Sequence, residues 1–151
     1  MVVGFGNTMR GDDALGALVV ELVTQKIALS SGDRRWRDIV LRQVHQPDVT
    51  LAAELAGFQR VVFVDATQPE PVGGFSWELI RPGLDSSFAS HVCSLPTILS
   101  IAGAVYGSGL TGYLLAVGGH DFTLAAGIST PARRNAEKAA DFLLGFFQQL
   151  S

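Results

Sequence analysis

The sequence predicts an α/β fold: a three-layer sandwich whose mainly parallel, twisted sheet has helices on both faces and one antiparallel strand. Three observations predict it. Short apolar runs of strand length alternate along the chain with segments whose apolar residues recur every three or four positions. The strand-length runs are β-branched and punctuated by glycine, as strands buried on both faces are. With 151 residues, 48% apolar and 17% charged, the chain suffices for a single domain over residues 1–151 with a full core, and a disordered segment is ruled out.

Met1 to Phe5 reads as the first strand, with Gly4 and Gly6 allowing a sharp turn where it ends. From Asp13 onward Leu15, Leu18, Val19, Leu22 and Val23 mark a helix lying on the sheet, with Asp12 and Asp13 at its N-terminal end. Asp38 to Val44 is the second strand; Pro47-Asp48 punctuates it before a short helix over Thr50 to Ala56. Arg60 to Ala66, with Val61-Val62-Phe63-Val64, predicts a central strand closed by Asp65. The alternation over Phe75 to Arg81 suits a half-exposed edge strand, antiparallel to its neighbour. Leu95, Ile98, Leu99, Ala102 and Val105 mark the next helix, capped by Ser94 with Pro96 in its first turn. Tyr113 to Val117 is the last buried strand. Thr130-Pro131 then opens a helix with Ala136, Ala140, Leu143, Phe147 and Leu150 on one face.

Eleven basic against fourteen acidic residues leave a net charge of −3, which argues against nucleic acid as a partner. The one basic run, Arg34-Arg35-Trp36-Arg37, reads as a solvated turn, since a phosphate-binding patch needs more cations on a shared face. The single cysteine, Cys93, cannot close an internal disulfide, and no apolar run reaches the roughly 20 residues of a membrane helix. A cytoplasmic protein without a membrane partner is the expectation.

In an open α/β sheet ligands gather beyond the carboxyl ends of the strands, so Asp12, Asp13 and Asp65 are expected there. The opening Gly4-Phe5-Gly6-Asn7-Thr8-Met9 fails the dinucleotide fingerprint, because Met9 stands where the third glycine belongs and two carboxylates occupy the helix start. A divalent-metal site is the second reading, with Asp13, Asp65 and His91 supplying two oxygens and one nitrogen. The plainer alternative is that Asp12 or Asp13 caps the first helix. Asn7 suits an ordering role in the first loop, and His45 and His120 each follow a strand and share its rim.

Read together, Gly4-x-Gly6-Asn7, Gly11-Asp12-Asp13-Ala14-Leu15-Gly16, Val64-Asp65-Ala66 and Ser90-His91-x-x-Ser94-Leu95 resemble the nickel-iron hydrogenase maturation endopeptidases. Leu99 to Gly107 and Gly127-Ile128-Ser129-Thr130-Pro131 extend the resemblance along nearly the whole chain. It implies a cytosolic protease that trims a C-terminal extension from the hydrogenase large-subunit precursor once nickel is loaded. Nickel would be carried by that substrate, and another divalent ion could occupy the site of the free enzyme. The family's metal-contacting positions fall on Asp13, Asp65 and His91, and the first is an aspartate where some relatives carry glutamate. The segment Arg42 to Asp48 resembles the form in relatives serving soluble, NAD-linked hydrogenases, which makes its His45 a candidate substrate contact, and Asn7 after the first strand is a second candidate.

On that reading a bridging metal positions the scissile peptide, while Asp13 or Asp65 as general base is the alternative, a metal-bound carboxylate being the poorer base. Ser90, Cys93 and Ser94 lie too near His91 in sequence for an aligned nucleophile–base pair. Two other functions compete. Peptidyl-tRNA hydrolases share a glycine-x-glycine-asparagine loop but continue to a histidine where this chain has Arg10-Gly11-Asp12-Asp13. A nickel-checkpoint module that binds the precursor without cutting would use the same ligands.

Overall fold

The first strand, β1 (Val2–Phe5), is buried along its whole length and pairs in parallel with β2 (Leu41–Val44) on one side and β3 (Arg60–Thr67) on the other. β3 pairs in parallel with β5 (Thr111–Gly118), and β4 (Phe75–Ile80) runs antiparallel to β5. The resulting five-stranded order is β2-β1-β3-β5-β4, with β3 central and β4 an antiparallel edge, as the sequence pattern predicts. The computed structural model describes residues 1–30, 33–84 and 93–150.

Among the described residues four α-helices cover the sheet: α1 (Leu15–Leu29), α2 (Leu51–Leu55), α3 (Leu95–Tyr106) and α4 (Thr130–Gln149). Alternation along β3 divides its side chains between two cores. Val62 and Val64 pack with α1 and α4, whereas Val61 and Phe63 pack with α2 and α3. Each such fully buried side chain contributes roughly 1.5–3 kcal/mol by leaving water. β4 is half-exposed because only part of it meets a helix: Trp77 packs against Phe142 and Phe146 of α4, while Leu79 remains 58% exposed.

The helix boundaries follow local chemistry. Ser94 accepts the Thr97 amide at 3.3 Å at the start of α3, and Ser129 accepts the Ala132 amide at 3.4 Å at the start of α4. Among the described residues no helix is long and apolar enough to cross a membrane.

Five expectations are corrected. Asp12 and Asp13 lie in a 3-10 turn (Gly11–Ala14), and α1 begins only at Leu15. β2 starts at Leu41 because the Ile39 amide donates back to the Trp36 carbonyl, holding the preceding residues in a turn. Leu150 follows the end of α4 and is 44% exposed instead of joining the apolar face. Gly4 is a paired strand residue, its role being close packing and not the turn. The basic run is a turn with exposed arginines, yet its Trp36 is buried.

Candidate active site

β1 and β3 are adjacent and parallel, so the segments that follow them emerge at one rim, where ligands gather on such sheets. The chain leaves β1 through Gly6 at φ +132°, and a Cβ there would lie 1.7 Å from the Asp13 carbonyl oxygen. Only glycine fits, and the 3-10 turn is thereby pressed onto the strand end. Gly16 anchors the same junction from the helix side: an added Cβ would meet the Phe5 carbonyl oxygen at 2.2 Å and that of Val64 at 2.5 Å. Gly4 reciprocates, its virtual Cβ lying 2.2 Å from the Gly16 oxygen. Backbone-to-backbone packing thus brings the start of α1 directly onto β1 and β3.

This packing brings Asp13 within electrostatic reach of Asp65. Asp65 is partly buried on β3, one residue beyond the last β1 pairing at Val64. Burial raises its carboxyl above the ordinary carboxylate range, the Ala66 amide at 2.8 Å partly opposes this, and the negative charge of Asp13 raises it further. Asp13 Oδ2 accepts the Asn7 amide at 2.9 Å, and Asn7 Oδ1 accepts the Met9 amide at 2.9 Å, so Asn7 orders the loop that presents Asp13. The His45 carbonyl accepts the Gly6 amide at 3.2 Å, which places exposed His45 at the same rim.

Asn7, Asp13, His45 and Asp65 therefore share the rim. The third expected metal contact, His91, lies outside the described residues. Among the described residues no group of three or more His, Cys, Asp and Glu side chains could hold a metal ion. Burial of Asp65 and the like charge of Asp13 both disfavour the ionised Asp65 carboxylate, a cost that a proton or a positive charge nearby offsets. Cys93 sits half-buried beside the α2/α3 core, its amide donating to the Pro47 carbonyl.

The adjacent aspartate behaves differently. Asp12 is fully buried and accepts four hydrogen bonds: the amides of His120 (2.7 Å), Asp121 (2.8 Å) and Ser129 (2.7 Å), and the Ser129 hydroxyl (2.7 Å). Burial by itself would raise its carboxyl, but these donors outweigh burial and hold it below the ordinary range. Its own amide donates to the Asp121 carbonyl at 2.8 Å. Asp12 ties the β1–α1 junction to the β5–α4 loop, and neither it nor Asp13 caps α1, whose N-terminus has no side-chain cap. Sequence reasoning missed this role because the partners are 108 to 117 residues away.

His120 belongs to a second tether. Its Nε2 lies 3.3 Å from Glu70 Oε2, while Glu70 Oε1 accepts from Asn135 Nδ2 at 2.7 Å. Asn135, itself buried, also donates to the Gly118 carbonyl at 3.0 Å. Alongside the turn that presents Asp13 opens a cavity of about 280 Å³, lined in part by Thr8, Gly11, Gln43 and Arg133.

The fold and this rim define an α/β sandwich with a paired-carboxylate site at the carboxyl ends of its strands. No protein-family model and no curated protein sequence matches the chain. Solved structures do match. The [NiFe] hydrogenase maturation protease HycI of Thermococcus kodakarensis shares 24% identity and a TM-score of 0.71, over 97% of this chain and 90% of that one. The hydrogenase 2 maturation peptidase of a Thaumarchaeota archaeon shares 25% identity with a TM-score of 0.67, covering 97% and 96%. HybD, the hydrogenase maturating endopeptidase of E. coli, has 17% identity and a TM-score of 0.66, covering 99% and 92%. The resemblance to nickel-iron hydrogenase maturation endopeptidases, first carried by motifs, thus extends to the whole fold.

Proposed function

We propose that the chain is an endopeptidase that removes the C-terminal extension from a nickel-loaded hydrogenase large-subunit precursor, in the cytoplasm, recognising the nickel its substrate carries. The observation that carries this reading is the convergence of Asp13 and Asp65 at one rim, in an arrangement whose repulsion a cation relieves. The likeness to solved hydrogenase maturation proteases supports the substrate class.

Asp13 and Asp65 are proposed to face the substrate's nickel, with His91 as the third contact. Anchoring the precursor through its metal centre would fix the position of the neighbouring peptide, and positioning of that kind removes much of the entropic barrier to hydrolysis. The 280 Å³ cavity beside the Asp13 turn lies where it can take a side chain of the anchored segment. Gln43 reaches that cavity while donating to the Ala17 carbonyl at 3.1 Å, and with Asn7 and His45 it forms the proposed substrate-contacting edge. Whichever of the two carboxylates the cation does not engage remains available to take a proton from water, a metal-bound carboxylate being the poorer base.

The test is to incubate the purified chain with a C-terminally extended large subunit, with and without nickel, and to follow the precursor's mass. Loss of the extension from the nickel-loaded form alone is the expected result. Equal cleavage of both forms overturns nickel recognition, and cleavage of neither overturns the protease.

A further inference from the structure

At the opposite pole, where β1, β2 and β3 begin, lies a larger cleft of about 820 Å³. That volume is within the range of sites that hold small ligands or short chain segments. Arg34, Arg35 and Arg37 line it from the turn before β2, and the fold adds Arg60 from the first position of β3. The shared cationic face that the linear sequence lacks is therefore assembled by the sheet. Arg35 is engaged by Asp33 and lies 5.6 Å over the ring of Trp36. Among the described residues, Arg34, Arg37 and Arg60 have no ion-pair partner, and Asp38 is a carboxylate on the wall. The floor is apolar, formed in part by the partly exposed Ile39, Phe58 and Leu150.

Concentrating cations in one concavity of a chain with net charge −3 creates a local field that selects anions. An apolar floor adds a requirement that a bare phosphate does not meet. The overall negative charge and the concave shape disfavour a long polyanion such as nucleic acid, which needs an extended basic face. We infer that this cleft binds an acidic peptide segment, its carboxylates on Arg34, Arg37 and Arg60 and an apolar side chain on the floor. Guanidinium groups suit that ligand because they pair with carboxylates in a two-pronged geometry. Arg60 on the cleft wall is separated from Asp65 by five residue steps along β3, roughly 16 Å at strand rise, so the cleft is a different place from the rim.

The probe is a fluorescein-labelled peptide of four glutamates flanking one phenylalanine, its binding followed by anisotropy. Wild-type protein is expected to bind it and to ignore the glutamine analogue. The double variant R34E/R37E and, separately, R60E are expected to weaken binding at least about tenfold, while K138E on the exposed face of α4 changes it less than about twofold. Milder R34Q/R37Q replaces the double reversal if that variant loses its circular dichroism signal. Failure of wild type to bind, equal binding of the glutamine analogue, or unchanged binding in folded arginine variants overturns the inference. So does displacement of the peptide by single-stranded DNA or anionic vesicles at lower concentration than by unlabelled peptide, which assigns the cleft to those partners.

Discussion

Asp12 and Asp65 occupy the same rim yet live in opposite electrostatic regimes. Asp12 is the more deeply buried, but four donors surround it and its carboxyl is held low. Asp65 is less buried, receives the Ala66 amide, faces the charge of Asp13, and is held high. Burial alone does not decide a carboxylate's fate; the balance of donors and neighbouring charge does. The first region uses its charge to hold the molecule together. The second carries a repulsion that folding tolerates and that a cation or proton relieves, which is the behaviour expected of a functional group.

The largest effect that breaks this contrast is Asp12→Ala. It leaves two backbone amides, a third amide and a hydroxyl without their acceptor, and should destabilise the chain by about 3 kcal/mol or more in urea unfolding. Because the native carboxyl lies below its ordinary value of 3.8, Asp12's contribution is complete above that value and is lost as the pH falls through the native one.

Asp65→Asn should act in the opposite sense. Processing is expected to fall on the order of 100-fold or more, by loss of a charge that the proposed function sets against the substrate, while stability at neutral pH is unchanged or higher. The direction follows from linkage: between 3.8 and its raised native value the folded chain holds more of Asp65's proton than the unfolded chain does. Wild-type stability from this group therefore declines as the pH rises through that window, and in Asp65→Asn the decline disappears. Parallel denaturant titrations across pH check it.

The smallest effect sharpens the comparison at the second tether. Glu70→Gln removes the carboxylate charge beside His120 but keeps an oxygen for Asn135, so it should cost less than about 1 kcal/mol.

What the sequence made legible was local. The unbroken apolar run Val61-Val62-Phe63-Val64 announced a strand buried on both faces; Ser94 followed by Pro96 announced a capped helix. The position of Asp65 near the carboxyl end of that strand placed it close to the rim without any knowledge of the rest. Asp12 was illegible for a physical reason: next to Asp13 it looks like a second helix-capping carboxylate, and only the return of the chain at His120, Asp121 and Ser129 gives it a different task. The arginine cleft was hidden likewise, since Arg60 joins Arg34 and Arg37 only when β2 and β3 flank β1. Gly16 was visible as a motif residue, but its contact with the Phe5 and Val64 backbones exists only in three dimensions.

The most direct test of the paired-carboxylate site is an NMR titration of the Asp65 side-chain carboxyl in wild type and in Asp13→Asn. The account predicts a midpoint above the ordinary carboxylate value in wild type and a lower one once the charge at position 13 is gone. An ordinary midpoint in wild type, or one indifferent to that substitution, would contradict it.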